Sequence, residues 1–341
     1  MVNIRLECNR SVNKSIQMRI LALVPGGIGD QILFLPTLQD IKQFYPNAQM
    51  DVVVEPRSLG AFRVCKHFHD KSLRPIKFDF KDRNSMADFA NLLGIIRDGQ
   101  YDAVLSLGQR SVVAFLLWLT GIPIRIGYSG NGSDRFLTKP VTLKTEQYAA
   151  AMYHDLLEGF GITSPSPELS VTLLKEDLKW AETEQKTLGI AESGYILIHG
   201  GSSKLALTKG LNKIYPVQNW LEILQQLQES QPNFPIMVVK GPEDEEFVRE
   251  LVQSCPGIKT ISPPDIGKLA ATIAGANLMI CTDSAPMHLA VAVKTYTIAL
   301  FGPTDPKKLL PENERFIAIK SPTDNMADIP AKMVLEKILG G

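Results

Sequence analysis

Two turns in this chain pair bare backbone with side chains that can do chemistry. In the first, Gly26-Gly27-Ile28-Gly29-Asp30 follows an apolar run, Arg19–Val24, and ends on a carboxylate. An acid held at such a turn can take a proton from a substrate hydroxyl as a general base. It can equally serve as a helix N-cap, the commoner use of aspartate, and the two roles are compatible. The second turn lies within Asn277–Pro306. There the apolar run Leu278–Cys281 is followed by Thr282, Asp283 and Ser284, all capping types, and then by Ala285, Pro286, Met287 and His288. Pro286 suits a first helical turn because its missing N–H would have no partner there. Strand, tight loop and helix in that order aim backbone N–H groups, and the positive end of a helix dipole, at the carboxyl edge of a parallel sheet. Phosphates bind at such places. His288 reads as a buried structural histidine with no proton-transfer role.

Further candidates stand between these turns. His199-Gly200-Gly201-Ser202-Ser203 follows an apolar run and offers hydroxyls and flexible backbone. Lys213, just ahead of a helix beginning at Pro216, is either solvated or a point charge for a diphosphate. The acids Glu243–Glu246 read as a solvated helix start, with Glu245 able to turn inward to a ribose hydroxyl pair. A dinucleotide-binding oxidoreductase is an alternative reading of the first turn, with Glu55 ending the second strand. The spacing opposes it, because Gly27 and Gly29 lack the third glycine of the fingerprint and Asp30 would repel a pyrophosphate.

The elements that must position these residues alternate between strand and helix through most of the chain. Strands are expected at Arg19–Val24, Asp51–Val54, Ala103–Leu107, Ile124–Gly127, Tyr195–His199, Ile236–Val239, Lys259–Ile261, Leu278–Cys281 and Thr297–Phe301. Helices are expected at Gln31–Tyr45, Leu59–Phe68, Met86–Arg97, Val112–Thr120, Glu146–Phe160, Pro216–Gln228, Glu243–Val252, Ile266–Ala274 and Pro330–Leu339. Such alternation predicts doubly wound parallel sheets. Both halves begin with strand, glycine turn and helix, which predicts an α/β protein of two similar sandwich domains facing a cleft. The domains are placed at 1–170 and 171–325, with 326–341 a C-terminal helix able to pack back toward the first domain. Residues 1–18 read as a loose arm.

At 341 residues, the chain has room for two cores. Lys+Arg and Asp+Glu each number 36, so no overall field recruits nucleic acid, and any anion site must be local. Cys8, Cys65, Cys255 and Cys281 are scattered without metal spacing, which fits free thiols in the cytoplasm. No apolar run is long enough for a bilayer span, so contact with the inner face of a membrane would be peripheral.

Three segments together, RILALVPGGIGDQILFLPTL, KIYPVQNW and CTDSAPMHLAVAVKTYTIALFGPTDP, resemble glycosyltransferase family 9, the heptosyltransferase-like enzymes. The resemblance implies a GT-B fold with the active site between two Rossmann-like domains. It implies a nucleoside-diphosphate-sugar donor, typically ADP-heptose, held by the second domain. The acceptor it implies is a cell-envelope glycolipid or polysaccharide, typically of the lipopolysaccharide core, against the first. Asp30 then matches the general base, with Gly27 and Gly29 in the acceptor-side loop. Lys213 matches a lysine on the donor phosphates, Ser202 and Ser203 the hydroxyl residues before it, and Glu245 a ribose-binding acid. Asp283, Ser284, Ala285, Pro286, Met287 and His288 match the donor loop and its helix. Ala285 departs from the family's glycine, so the backbone there must avoid the left-handed region. Inverting transfer is implied, without an obligatory metal or cofactor. A non-catalytic nucleotide-sugar-binding protein is the other alternative, alongside the less favoured oxidoreductase.

Overall fold

A computed structural model describes residues 17–79, 85–191, 193–201 and 210–340. The arm expected at 1–18 therefore lies almost wholly outside the described residues, as do Ser202 and Ser203. The chain divides into two units, Met1–Leu169 and Ser170–Gly341.

The first unit carries a six-stranded sheet of β1 (Arg19–Leu23), β2 (Gln49–Val54), β3 (Leu73–Lys77), β4 (Ala103–Ser106), β5 (Ile124–Tyr128) and β6 (Lys139–Val141). Its order is β3-β2-β1-β4-β5-β6, and every pairing is parallel. The second unit has β7 (Ile196–His199), β8 (Ile236–Val239), β9 (Lys259–Ile261), β10 (Leu278–Thr282), β11 (Tyr296–Phe301) and β12 (Phe316–Lys320). Its order, β12-β11-β10-β7-β8-β9, repeats the first pattern strand for strand, again all parallel. Both are the doubly wound Rossmann arrangement, and each reverses its winding beside its first strand, where such sheets bind ligands.

The central strands are apolar throughout because helices cover both faces. β1 reads RILAL with its last four residues buried, and β10 reads LMICT with the same pattern. In the second unit the core gathers Trp220, Leu224, Val248, Leu251, Ile280, Ile298 and Val334. Trp220 is wholly buried, and truncating such a side chain to alanine costs about 3–5 kcal/mol. The C-terminal helix Ala331–Leu339 belongs to this core through Ala331 and Val334, and it lies along the helix Val217–Ser230.

Several elements differ from the sequence expectation. β3, β6 and β12 were not foreseen. Pro75 and Pro140 interrupt the strand pattern of the first two, and all three are edge strands, where proline and charge are tolerated. The single helix expected at Gln31–Tyr45 is two, Ile28–Leu33 and Leu35–Phe44, breaking at Phe34 because Pro36 lacks the N–H to continue the ladder. The helix expected at Leu59–Phe68 is mostly the 3-10 segment Pro56–Val64. That expected at Glu146–Phe160 is the helix Ala149–His154 followed by a 3-10 turn, Asp155–Phe160. The helix Lys175–Thr187, just past the expected domain boundary, is an addition to the expected helices.

Candidate functional site

In the first unit, β1 ends at Leu23 and the chain turns sharply at Gly26, whose φ of 133° only glycine adopts readily. A Cβ at Gly26 would also stand 2.2 Å from an Asp30 carboxylate oxygen. Asp30 is the third residue of the helix Ile28–Leu33, and the N-cap position belongs to Gly27. The expectation that Asp30 is itself the N-cap is therefore corrected. Its carboxylate reaches back along the turn, and Oδ2 accepts the Gly27 N–H at 2.7 Å, the reciprocal half of a capping box. Oδ1 accepts the hydroxyl of Tyr153 at 3.0 Å. Burial and the adjacent carboxylate push the Tyr153 phenol well above its ordinary range, so it stays a donor. Ser58 Oγ donates to Gly26 O at 2.8 Å, tying the turn to the segment after β2.

This geometry has two chemical consequences. Asp30 is half-buried and held on both oxygens, so its orientation is set before any substrate arrives. The N-cap N–H of Gly27 is already spent on an acid, and that carboxylate at the helix start opposes a pyrophosphate there, which counts against the oxidoreductase reading. Tyr153 was missed by sequence reasoning. It lies 123 positions from Asp30, and nothing in its neighbours marks it.

The second unit brings four loops to one edge. β10 delivers Thr282 and Asp283, and Ser284 caps the helix Ala285–Ala292 with extended backbone. Ala285 is helical and absent from the positive-φ residues, so an alanine there strains nothing. Pro286 has no N–H, and the Met287 N–H goes to Ser284 O at 3.1 Å, which leaves fewer donors at this helix start than the loop sequence suggests. His288 is buried on the same helix.

Asp283 is buried and accepts from Lys213 Nζ at 2.5 Å and from Thr304 Oγ1 at 2.7 Å. Sequence reasoning placed Lys213 and Asp283 on one site, and here they form an ion pair. An ammonium has three donors, so one bond to Asp283 leaves Lys213 able to meet a second anion. Thr282 Oγ1 donates to Gly201 O at 3.0 Å, joining the β7 and β10 turns.

A second cluster stands beside the first. Ser284 Oγ donates to Thr282 O at 3.2 Å and lies 3.3 Å from His199 Nδ1. On the other side of the ring, His199 Nε2 is 3.6 Å from Asp244 Oδ2. Burial pushes the His199 imidazole below its ordinary range, and the Asp244 charge opposes this only in part. Asp244 also accepts the Gly241 N–H at 3.0 Å, and a Cβ at Gly201 would collide with it at 1.9 Å. Glu245, singled out from the sequence, is exposed at the start of the helix Glu245–Ser254; the acid of that run that turns inward is Asp244. The signal available was glycine on both sides, since Gly201 and Gly241 are the residues that make room for it. Among the described residues, no group of three or more His, Cys, Asp or Glu is arranged to hold a metal ion. No described helix is long and apolar enough to cross a membrane.

Against known proteins, residues 90–339 match the model of glycosyltransferase family 9 (heptosyltransferase). The span begins after the Asp30 turn and takes in the whole second-unit site. A photosynthetic NDH subunit of subcomplex B from Arabidopsis thaliana is 25% identical over 336 residues, 91% of this chain and 71% of that protein. Lipopolysaccharide heptosyltransferase 3 of Escherichia coli K12 is 25% identical over 91% of this chain and 95% of its own length. Among solved structures, a glycosyl transferase family 9 protein from Veillonella parvula superposes with TM-score 0.77 at 22% identity, covering 95% of this chain and 96% of that one. The E. coli heptosyltransferase WaaC with ADP-2-deoxy-2-fluoro heptose gives 0.72 at 19% identity, covering 95% and 99%. These likenesses identify the fold as GT-B, two Rossmann-like units in one chain.

Proposed function

Since the chain belongs to glycosyltransferase family 9, we propose that it moves a sugar, heptose in the first instance, from a nucleoside-diphosphate-sugar to a cell-envelope glycolipid or polysaccharide, with inversion. Support for the donor class comes from the E. coli neighbour held with an ADP-sugar analogue, and for the acceptor class from the lipopolysaccharide heptosyltransferases. The observation that carries the proposal is the carboxylate of Asp30, oriented on both oxygens at the carboxyl edge of β1.

In this reading Asp30 takes the acceptor hydroxyl proton as that oxygen attacks the anomeric carbon. The carbon–oxygen bond to the diphosphate breaks on the opposite face, and the electron pair leaves with the diphosphate. Lys213 shares its donors between Asp283 and the departing phosphates. The start of the helix Ala285–Ala292, with Ser284, Ser202 and Ser203, completes the donor site. This set of charges takes the place of a divalent cation, so chelation with EDTA should leave turnover unchanged. The test is release of ADP from ADP-heptose in the presence of a cell-envelope extract. Asp30→Asn should bind the donor as the parent does and lose transfer. Near-parental turnover in that variant would remove Asp30 from the mechanism.

A second reading is favoured by the plant relative, which is named as a subunit of a photosynthetic complex. In it this chain keeps the fold and binds a sugar nucleotide or a partner without turnover. Such a protein releases no ADP with any envelope fraction.

A further inference from the structure

The helix Ser111–Leu119 reads SVVAFLLWL, with no polar side chain after Ser111. A helix covering a sheet at the surface of a globular protein ordinarily turns a polar face to water. Here Ala114 and Leu117 face the sheet, and the side turned to solvent presents Val112, Phe115 and Trp118, exposed by 62%, 40% and 49%. They form one platform: Phe115 and Trp118 stack at 5.8 Å with their planes 22° apart, and Phe136 meets them at 5.3 and 6.2 Å. The neighbouring helix Met86–Asp98 packs into the same core on this side of the sheet and also exposes large apolar side chains. Single exposed apolar residues are ordinary; a stacked aromatic group with no polar residue among them marks an interaction surface.

The rim of the platform is cationic. Arg110 immediately precedes the helix and Arg135 adjoins Phe136, both exposed. The acid between them in sequence, Asp134, turns its carboxylate to the Gly130 N–H at 3.1 Å. Arg125 donates to Phe136 O at 2.7 Å and to Ile122 O at 2.6 Å, tying the loop after the helix to the segment that carries Phe136. Arg125 is thus a brace, and the aromatic face is held in place.

We propose that this face docks on a bilayer surface carrying anionic headgroups. Tryptophan and phenylalanine beside guanidinium groups match the chemistry of the headgroup boundary, where aromatic rings sit and arginine meets lipid phosphate. Position adds a second argument, which rests on the glycolipid acceptor of the proposed function. The helix leaves the carboxyl edge of β4, which pairs directly with β1, whose carboxyl edge leads to Asp30. It then runs back over one face of that sheet to the start of β5, so a membrane under Phe115, Trp118 and Phe136 lies against the unit that carries the proposed base.

The test is flotation of the full chain with phosphatidylcholine vesicles, with and without phosphatidylglycerol, at two salt concentrations. The parent should float with the anionic vesicles, and less so at high salt. Phe115→Ser/Trp118→Ser should lower the partition coefficient by about tenfold or more, as expected for two aromatic anchors, with its melting temperature and affinity for ADP unchanged. Arg110→Gln/Arg135→Gln should remove the preference for anionic vesicles and leave the weaker binding to neutral ones. A parent that floats with neither vesicle, or an aromatic double variant that floats like the parent, overturns the proposal. So does a parent that light scattering shows to be a dimer made monomeric by Trp118→Ser without any vesicle binding, since the face would then belong to a second copy. The functional reading fails separately: vesicle binding without ADP release sinks the transferase and leaves the docking surface standing. ADP release with a water-soluble delipidated acceptor but no flotation does the reverse.

Discussion

The two units share one strand order, yet their β-to-helix turns do opposite things with charge. In the first, the turn after β1 spends its leading N–H on its own acid, Asp30, and leaves a carboxylate oriented by Tyr153. In the second, Ser284 caps the helix after β10 without a side-chain bond to its N–H groups, and the nearest acid, Asp283, is matched by Lys213. One edge presents a fixed carboxylate and the other an ammonium with donors left over. Identical topology supplied the place; a few side chains decided the polarity.

The sharpest way to break this comparison is at Asp30. Asp30→Asn keeps the shape and an acceptor oxygen but removes the base, and transfer should fall by about 10²–10⁴ while calorimetry shows donor affinity unmoved. A loss of donor affinity instead would make the first turn a binding element like the second.

Lys213 tests the opposite edge. Lys213→Ala should weaken ADP binding by about 10- to 100-fold, the range of a hydrogen bond to a charged group. It also leaves Asp283 buried without its cation. The resulting destabilisation should stay below the ~3–5 kcal/mol of a fully buried pair, because Thr304 still bonds the carboxylate. Lys213→Met/Asp283→Asn separates the roles: melting should recover and donor affinity should not.

Tyr153→Phe asks whether orientation of Asp30 matters beyond its presence. Single-turnover transfer should drop by about tenfold, the worth of one such hydrogen bond, at constant donor affinity. An unchanged rate would reduce Tyr153 to packing.

The smallest effect concerns pH. Burial holds His199 below its ordinary value of 6.5, so as pH falls through that value the unfolded chain takes up a proton that the native chain resists. Stability should therefore decline on acidification, and His199→Gln should flatten part of that slope in melts from pH 7.5 to 5. His67, also lowered by burial, sets a remainder that the variant keeps.

Much of the fold was legible in the residues because central parallel strands are apolar on both faces, and runs such as LMICT and ILIH cannot be hidden. Edge strands were not legible, since β3 and β6 need only one partner and accommodate Pro75 and Pro140. At the sites, Asp30, Lys213 and Asp283 could be named from spacing and resemblance, while Tyr153 and His199 could not be tied to them. Their importance comes from contacts across 123 and 85 positions, for which local pattern carries no record. Asp244 was passed over for its neighbour Glu245 because adjacent positions on a helix start differ in direction, and only packing tells which one points inward.

What the amino-acid sequence determined by itself is the alternation of strands and helices, the two-unit plan, and the turns at which chemistry could sit. Each of these depends on local periodicity or backbone preference. The tertiary structure decided which acid caps and which faces inward, that Lys213 pairs with Asp283, and that the apolar helix Ser111–Leu119 turns one side to solvent. Those outcomes depend on which side chains the sheets bring within hydrogen-bond or ring-stacking distance, and such distances exist only after the strands have paired.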